Sequence, residues 1–205
     1  VNDTLNRQKR MRLHDTLVSG KKLIREGEHE LAFRLLEPYI VHKIENSAEL
    51  YEQFAISAFK SGNEEAVARL IPIMSKRVNR TTAARFIETL DSIGQFKLHS
   101  QMIEQLSPNL LDSSKIIRSF FKVRLQYSGG MSANEYLVRL CSIKKGSREI
   151  SYFIDSLCRQ ELPSKEVVTL ILTSGSRDVE KLACMLTVNQ RRNNDPEIRA
   201  IFDKI

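Results

Sequence analysis

Glycine and proline, the residues that punctuate folds with many strands and turns, are scarce here: eight and five in 205 residues. That shortage leaves few turn signals for an all-β domain and favours helices. No run approaches the roughly 18 to 20 consecutive apolar residues that a membrane span requires. The first 30 residues also lack the central apolar stretch of a secretion signal, so the chain reads as soluble and cytoplasmic with no membrane span. Its 41% hydrophobic and 28% charged residues exclude a disordered tail. The chain begins at Val1 rather than Met, and we expect it to be one piece of a longer polypeptide.

The recurrent signals of chemistry are missing as well. Cys141, Cys158 and Cys184 are odd in number, widely spaced and set in apolar helical patterns. They read as small buried thiols in a reducing compartment, not as a disulfide or zinc set. His14, His29, His42 and His99 form no H-E-x-x-H pair and read as surface or turn histidines. Neither a P-loop nor a G-x-G-x-x-G after a strand is found. We therefore expect no catalytic residue, metal or cofactor in this chain.

What the sequence has in abundance is apolar spacing at three and four residues, the period of one helical face. Ala133, Tyr136, Leu137, Leu140 and Cys141 follow it, as do Ile150, Phe153, Ile154, Leu157 and Cys158. Val179, Leu182, Ala183 and Leu186 repeat it, and Ile198, Ile201, Phe202 and Ile205 close the series. Between the stripes fall helix starts and stops. Ser132 with Glu135 is a capping box, and Asp195-Pro196 is a cap followed by a first-turn proline. Ser47, Asn63, Ser164 and Ser176 are further N-cap candidates, while Gly27, Gly62, Gly94, Gly130 and Gly146 sit where helices should end.

About a dozen short helices result, over residues 5–26, 28–43, 47–61, 63–77, 80–93, 96–106, 113–128, 132–144, 147–161, 164–174, 176–190 and 196–205. The β-branched run from Val167 to Leu172 is assigned to a buried helix because its neighbours are helices. Short loops make successive helices antiparallel neighbours, and each hairpin needs the next to cover its apolar face. The expected fold is all-α, a right-handed solenoid of antiparallel hairpins in one continuous array, with repeats over 1–110 and a basic extension over 111–205.

The repeat has a period. Gly27, Gly62 and Gly94 stand 35 and 32 residues apart, and Pro38, Pro72 and Pro108 stand 34 and 36 apart, near the length of a two-helix unit. Gly27-Glu28-His29-Glu30-Leu31-Ala32 parallels Gly62-Asn63-Glu64-Glu65-Ala66-Val67, and Arg34-Leu35-Leu36-Glu37-Pro38 parallels Arg69-Leu70-Ile71-Pro72.

On these residues the chain resembles the tetratricopeptide repeats. That family places a small residue in the first helix, a turn glycine seven residues on and an alanine five further; Gly20, Gly27 and Ala32 match, then Ala55 and Gly62 with Val67 third. The third unit departs, with Ile87, Gly94 and His99, and the usual proline is not in register. The likeness covers residues 13–106, and it implies a non-catalytic interaction or scaffolding module. The family's chaperone-binding members grip a peptide carboxylate through positions that align with Leu17, Lys21, Gln53, Thr81 and Arg85. Only Lys21 and Arg85 suit that role, so chaperone binding is not expected. Lys21, Gln53 and Arg85 remain candidates for contact on the concave surface.

Charge supplies the other candidates. The net +7 belongs mostly to residues 111–160, which carry nine Lys and Arg against four Asp and Glu. There Lys115, Arg118, Lys122 and Arg124 interleave with Phe120, Phe121 and Tyr127, the side chains that neutralise phosphates and stack on bases. On a helix, however, Ile116, Phe120 and Tyr127 share one face with Ile117 and Phe121 beside it, which makes them core and leaves the cations on the solvated side. Lys144, Lys145 and Arg148 form a further cluster, and Arg7, Lys9, Arg10 and Arg12 another near the start.

Three functions follow as expectations. The first is a module that holds a protein partner or an adjoining domain of its own polypeptide. The second is an RNA or acidic-glycan binder acting through residues 111–160. The third is an accessory domain of a bacterial surface-polysaccharide polymerase or glycosyltransferase.

Overall fold

A computed structural model of the chain describes residues 2–41 and 47–141, together with Ser164, Glu166, Val167 and Pro196. Among these residues it is all-α, with nine helices and no strand. They are α1 (Asn2–Glu26), α2 (His29–Val41), α3 (Ala48–Lys60), α4 (Glu64–Arg77), α5 (Arg80–Ser92), α6 (Phe96–Gln105), α7 (Pro108–Leu111), α8 (Ser114–Arg124) and α9 (Ala133–Cys141). The segments expected over 147–161, 164–174, 176–190 and 196–205 lie outside the described residues, apart from those four positions. The chain divides into two compact units, Val1–Leu110 and Leu111–Ile205.

Three hairpins make up the first unit, and each closes with the same turn. The amide of Glu28 donates to the carbonyl of Leu23 at 2.9 Å and that of Gly27 to Ile24 at 3.3 Å. Asn63 and Gly62 repeat the pattern onto Ala58 and Phe59, at 2.7 and 3.1 Å, and Gln95 and Gly94 onto Leu90 and Asp91, at 2.8 and 3.0 Å. This is the Schellman motif, which satisfies the last carbonyls of a helix and needs a left-handed residue. The glycines supply it, with φ of 82°, 80° and 75°. These paired backbone bonds account physically for the glycine period seen in the sequence.

Helix starts are fixed locally too. The Ser47 hydroxyl accepts the amide of Leu50, as expected, and the Asn79 side chain does the same for Thr82. Asn63, a candidate cap, makes no such bond to its own helix; its side-chain amide donates instead to Glu30 Oε2 at 3.2 Å and to the Ser61 hydroxyl at 3.0 Å. Pro38 and Pro72 lie inside α2 and α4, where each withholds one helical hydrogen bond.

The first helices of the hairpins pack in succession, α1 on α3 and α3 on α5, while α2 also packs on α3 and α4 on α6. Leu13, Leu17, Leu36, Phe54, Ala55, Ala58, Ile87 and Leu90 are buried between them. Phe33 and Phe54 meet with ring centroids 5.3 Å apart. The hydroxyls of Thr16 and Tyr39 lie 2.9 Å apart, joining α1 to α2. His99 departs from the surface role expected of the histidines: at 1% exposure it shares the buried face of α6 with Leu98, Met102 and Ile103.

In the second unit α8 presents Ile116, Ile117, Phe120, Phe121 and Val123 to the core, and α9 presents Ala133, Tyr136, Leu137 and Leu140. Phe120 packs against Tyr136 with ring centroids 4.4 Å apart and planes tilted by 34°, and meets Phe121 edge-on at 5.3 Å. The capping box of α9 forms reciprocally: the Glu135 amide donates to the Ser132 hydroxyl at 3.1 Å, and the Ser132 amide donates to the Glu135 carboxylate at 2.8 Å. Ser164 accepts the Val167 amide at 3.3 Å in a third expected N-cap, while its own amide reaches the Asn134 side-chain oxygen at 2.7 Å. Helix α8 ends at Arg124, short of the expected 128. The amides of Gln126 and Tyr127 both turn back to the Val123 carbonyl, and the Arg124 guanidinium closes the turn on the Ser128 carbonyl at 2.7 Å. Tyr127 therefore lies beyond the helix and not on its core face.

Candidate functional site

The concave-surface candidates occupy three first helices, Lys21 on α1, Gln53 on α3 and Arg85 on α5. Two carboxylates on neighbouring positions of α3 link them. Glu49 Oε1 lies 3.9 Å from Lys21 Nζ and accepts from Gln53 Nε2 at 3.2 Å. Glu52 Oε2 lies 2.7 Å from Arg85 Nε. Acids on the central helix are thus flanked by cations from both neighbours, a row in which α3 carries negative charge and α1 and α5 carry positive charge. Glu49 and Glu52 were not among the sequence candidates; their only signal was position in the opening turns of α3, where acids also suit the helix dipole.

Gln53 differs from its two companions. It is 5% exposed, and its Oε1 is buried without a hydrogen-bond partner, over the position where Gly20 has no side chain. Lys21 and Arg85 remain open to solvent at the edges of the row. Of the aligned clamp positions, Leu17 is buried in the core and Thr81 is exposed at the start of α5.

An open cleft of about 370 Å³ adjoins Lys21, lined by Val18, Lys21, Lys22, Arg25, Glu26 and Glu49. Lys22 Nζ stands 3.8 Å from Glu26 Oε1, an exposed pair one turn apart on α1. Exposed pairs of this kind contribute about 0 to 1 kcal/mol, so they are easily re-partnered.

On α8, Lys115, Arg118 and Lys122 are exposed and fall at i, i+3 and i+7, on one face. Arg124 lies on another face, half-buried and turned to the Ser128 carbonyl. Phe120 and Phe121 are buried, so two of the three aromatics that could have stacked on bases belong to the core, while Tyr127 is half-buried in the turn after α8. Lys144, Lys145 and Arg148 lie outside the described residues, as do His42, Cys158 and Cys184.

Buried polar chemistry gathers at the base of α9. The Tyr136 hydroxyl donates to the Leu111 carbonyl at 2.7 Å, and Asp112 is 4% exposed. Burial pushes the Tyr136 hydroxyl far above its ordinary pKa, the Asp112 carboxylate adds to the shift, and Arg139 opposes it. Burial alone raises that of Tyr51 on α3. Neither tyrosine is poised to exchange protons near neutral pH. Among the described residues no cluster of three or more His, Cys, Asp or Glu side chains is placed to hold a metal ion, and no helix is long and apolar enough to cross a membrane. The chain matches no family model, no curated protein and no solved structure.

Proposed function

We propose that the chain is a non-catalytic interaction module, a right-handed solenoid of tetratricopeptide-like hairpins whose first helices receive a protein partner or an adjoining domain. One observation carries the reading: α1, α3 and α5 pack in succession and hold a row of charge, Lys21 with Glu49 and Glu52 with Arg85, across three consecutive hairpins. Stacked first helices form a continuous surface because each hairpin buries its neighbour's apolar face and leaves the polar one free. The repeated Schellman turns support the same geometry, since identical turns give successive hairpins the same entry angle.

The experiment is a pull-down with the full chain, wild type against a Lys21→Glu/Arg85→Glu variant, with Arg69→Glu on α4 as the control. The expected result is a protein captured by wild type and control and lost from the double variant. A chain that runs as an inert monomer in light scattering and captures nothing overturns the reading.

The exposed row Lys115, Arg118 and Lys122 supports a second reading, contact with RNA or an acidic glycan. Its signature is affinity that falls steeply with salt, because phosphate contacts release counterions, and that is lost when Lys122 is replaced by Glu.

A further inference from the structure

Helix α1 leaves an unusual line of side chains in solvent. With α-helical spacing of about 100° and 1.5 Å per residue, Met11, His14, Val18, Lys21, Lys22 and Arg25 fall within about 100° of one another, along about 21 Å of the helix. All six are exposed. Met11 and Val18 are 61% and 57% exposed, two of the few large apolar side chains left in solvent among the described residues. Single exposed apolar residues need no explanation. Two of them in line with three cations are a pattern, apolar at one end and positive at the other.

The cations are loosely held. Lys21 and Lys22 reach their carboxylates only at 3.9 and 3.8 Å, in exposed pairs. Arg25 stands exposed at the rim of the cleft, where its planar fork suits a carboxylate. The cleft lined by Val18, Lys21, Lys22, Arg25, Glu26 and Glu49 gives that end of the line a recess with three cations and two carboxylates. Glu26 and Glu49 are the present partners of Lys22 and Lys21 in that recess, and an incoming carboxylate displaces them from these long, exposed pairs while Arg25 adds a third cation.

We propose that this stripe of α1 binds an acidic amphipathic peptide segment of a partner protein, with apolar side chains seated on Met11 and Val18 and carboxylates on Lys21, Lys22 and Arg25. The proposal rests on the interaction-module reading above and names the chemistry of the partner. A nucleic acid fits less well. A phosphate backbone gains nothing from Met11 and Val18, and the stripe offers no aromatic face for a base. A peptide uses both ends.

The test uses the full chain and fluorescence anisotropy with a labelled synthetic peptide carrying two leucines seven residues apart, followed by a Glu-Glu-Asp-Glu run. A peptide with lysine in place of each acid and a uridine 12-mer serve as competing probes. Binding of the acidic peptide is expected, weakened at least tenfold by Lys22→Glu/Arg25→Glu, severalfold by Val18→Ser, and not by Arg69→Glu. Circular dichroism checks that the variants, all at exposed positions, keep wild-type helicity. Absence of acidic-peptide binding, equal binding of the lysine peptide, or tighter binding of the RNA overturns the proposal. So does self-association that the same substitutions abolish, which would assign the stripe to a second copy of the chain. If peptide binding follows Arg85→Glu but ignores Lys22→Glu/Arg25→Glu, the stripe is wrong while the interaction-module reading survives.

Discussion

Gln53 and Gly20 share one space between α3 and α1: a Cβ on residue 20 would lie 2.8 Å from Gln53 Oε1 and 3.3 Å from Leu36 Cδ2. The absent side chain lets the two helices approach with the amide between them. Replacing glycine by alanine inside a helix ordinarily gains about 1 kcal/mol. Here the Gln53 amide must turn aside and the fully buried Leu36 must give way, so that gain is cancelled and Gly20→Ala is expected to leave stability within about 1 kcal/mol of wild type. In a Gln53→Ala background, where the obstructing amide is gone, the same substitution should cost less or stabilise. Urea unfolding of the four proteins of this cycle measures the coupling, and additive effects would contradict the packing account.

Gly62 tests the turn that the hairpins share. Its φ of 80° is left-handed, and a Cβ there meets nothing within 4 Å, so any cost of Gly62→Ala is backbone strain alone. About 1 to 2 kcal/mol is expected. A loss much below that, in thermal or urea unfolding, would mean the turn relaxes out of the Schellman geometry.

Ser132→Ala removes one half of the reciprocal cap on α9 and should cost about 1 kcal/mol. Glu135→Gln keeps an acceptor for the Ser132 amide and should cost less. The order of the two unfolding midpoints is the check.

Local features were the most legible in the sequence. Turn glycines, the Ser132–Glu135 box, the Ser47 and Ser164 caps and the apolar faces of α8 and α9 each depend on residues within one or two turns. The burial of Gln53 and His99 depends instead on what a neighbouring helix presents. Nothing in the local pattern around Gln53 distinguishes a surface amide from one held over a glycine 33 residues earlier. Likewise Arg124 reads as one more cation of a basic run, and only the tightened turn after Val123 shows it directed to the Ser128 carbonyl. Glu49 and Glu52 acquired meaning only when α1 and α5 brought Lys21 and Arg85 to them.

Tyr136 predicts the behaviour in alkali. Its folded-state pKa is raised by burial, whereas in the unfolded chain the hydroxyl ionises near the ordinary value of about 10. Below that pH both states keep the proton and the stabilisation is complete. Above it the unfolded state loses a proton that the folded state retains, so stability declines by up to about 1.4 kcal/mol per pH unit for each such group. Tyr51 acts in the same direction. Urea midpoints should therefore fall as pH rises from about 10 to about 11.5, less steeply in Tyr136→Phe than in wild type. Equal slopes would show that Tyr136 ionises freely in the folded protein.

The proposed receiving surface is made by the successive first helices α1, α3 and α5. Hydrogen exchange of the full chain, with and without the captured partner, tests it most directly. Added protection is expected in α1, α3 and α5, centred on Lys21, Glu49, Glu52 and Arg85, with α4 unchanged. Protection confined to α2, α4 and α6, or found only beyond residue 110, would contradict it.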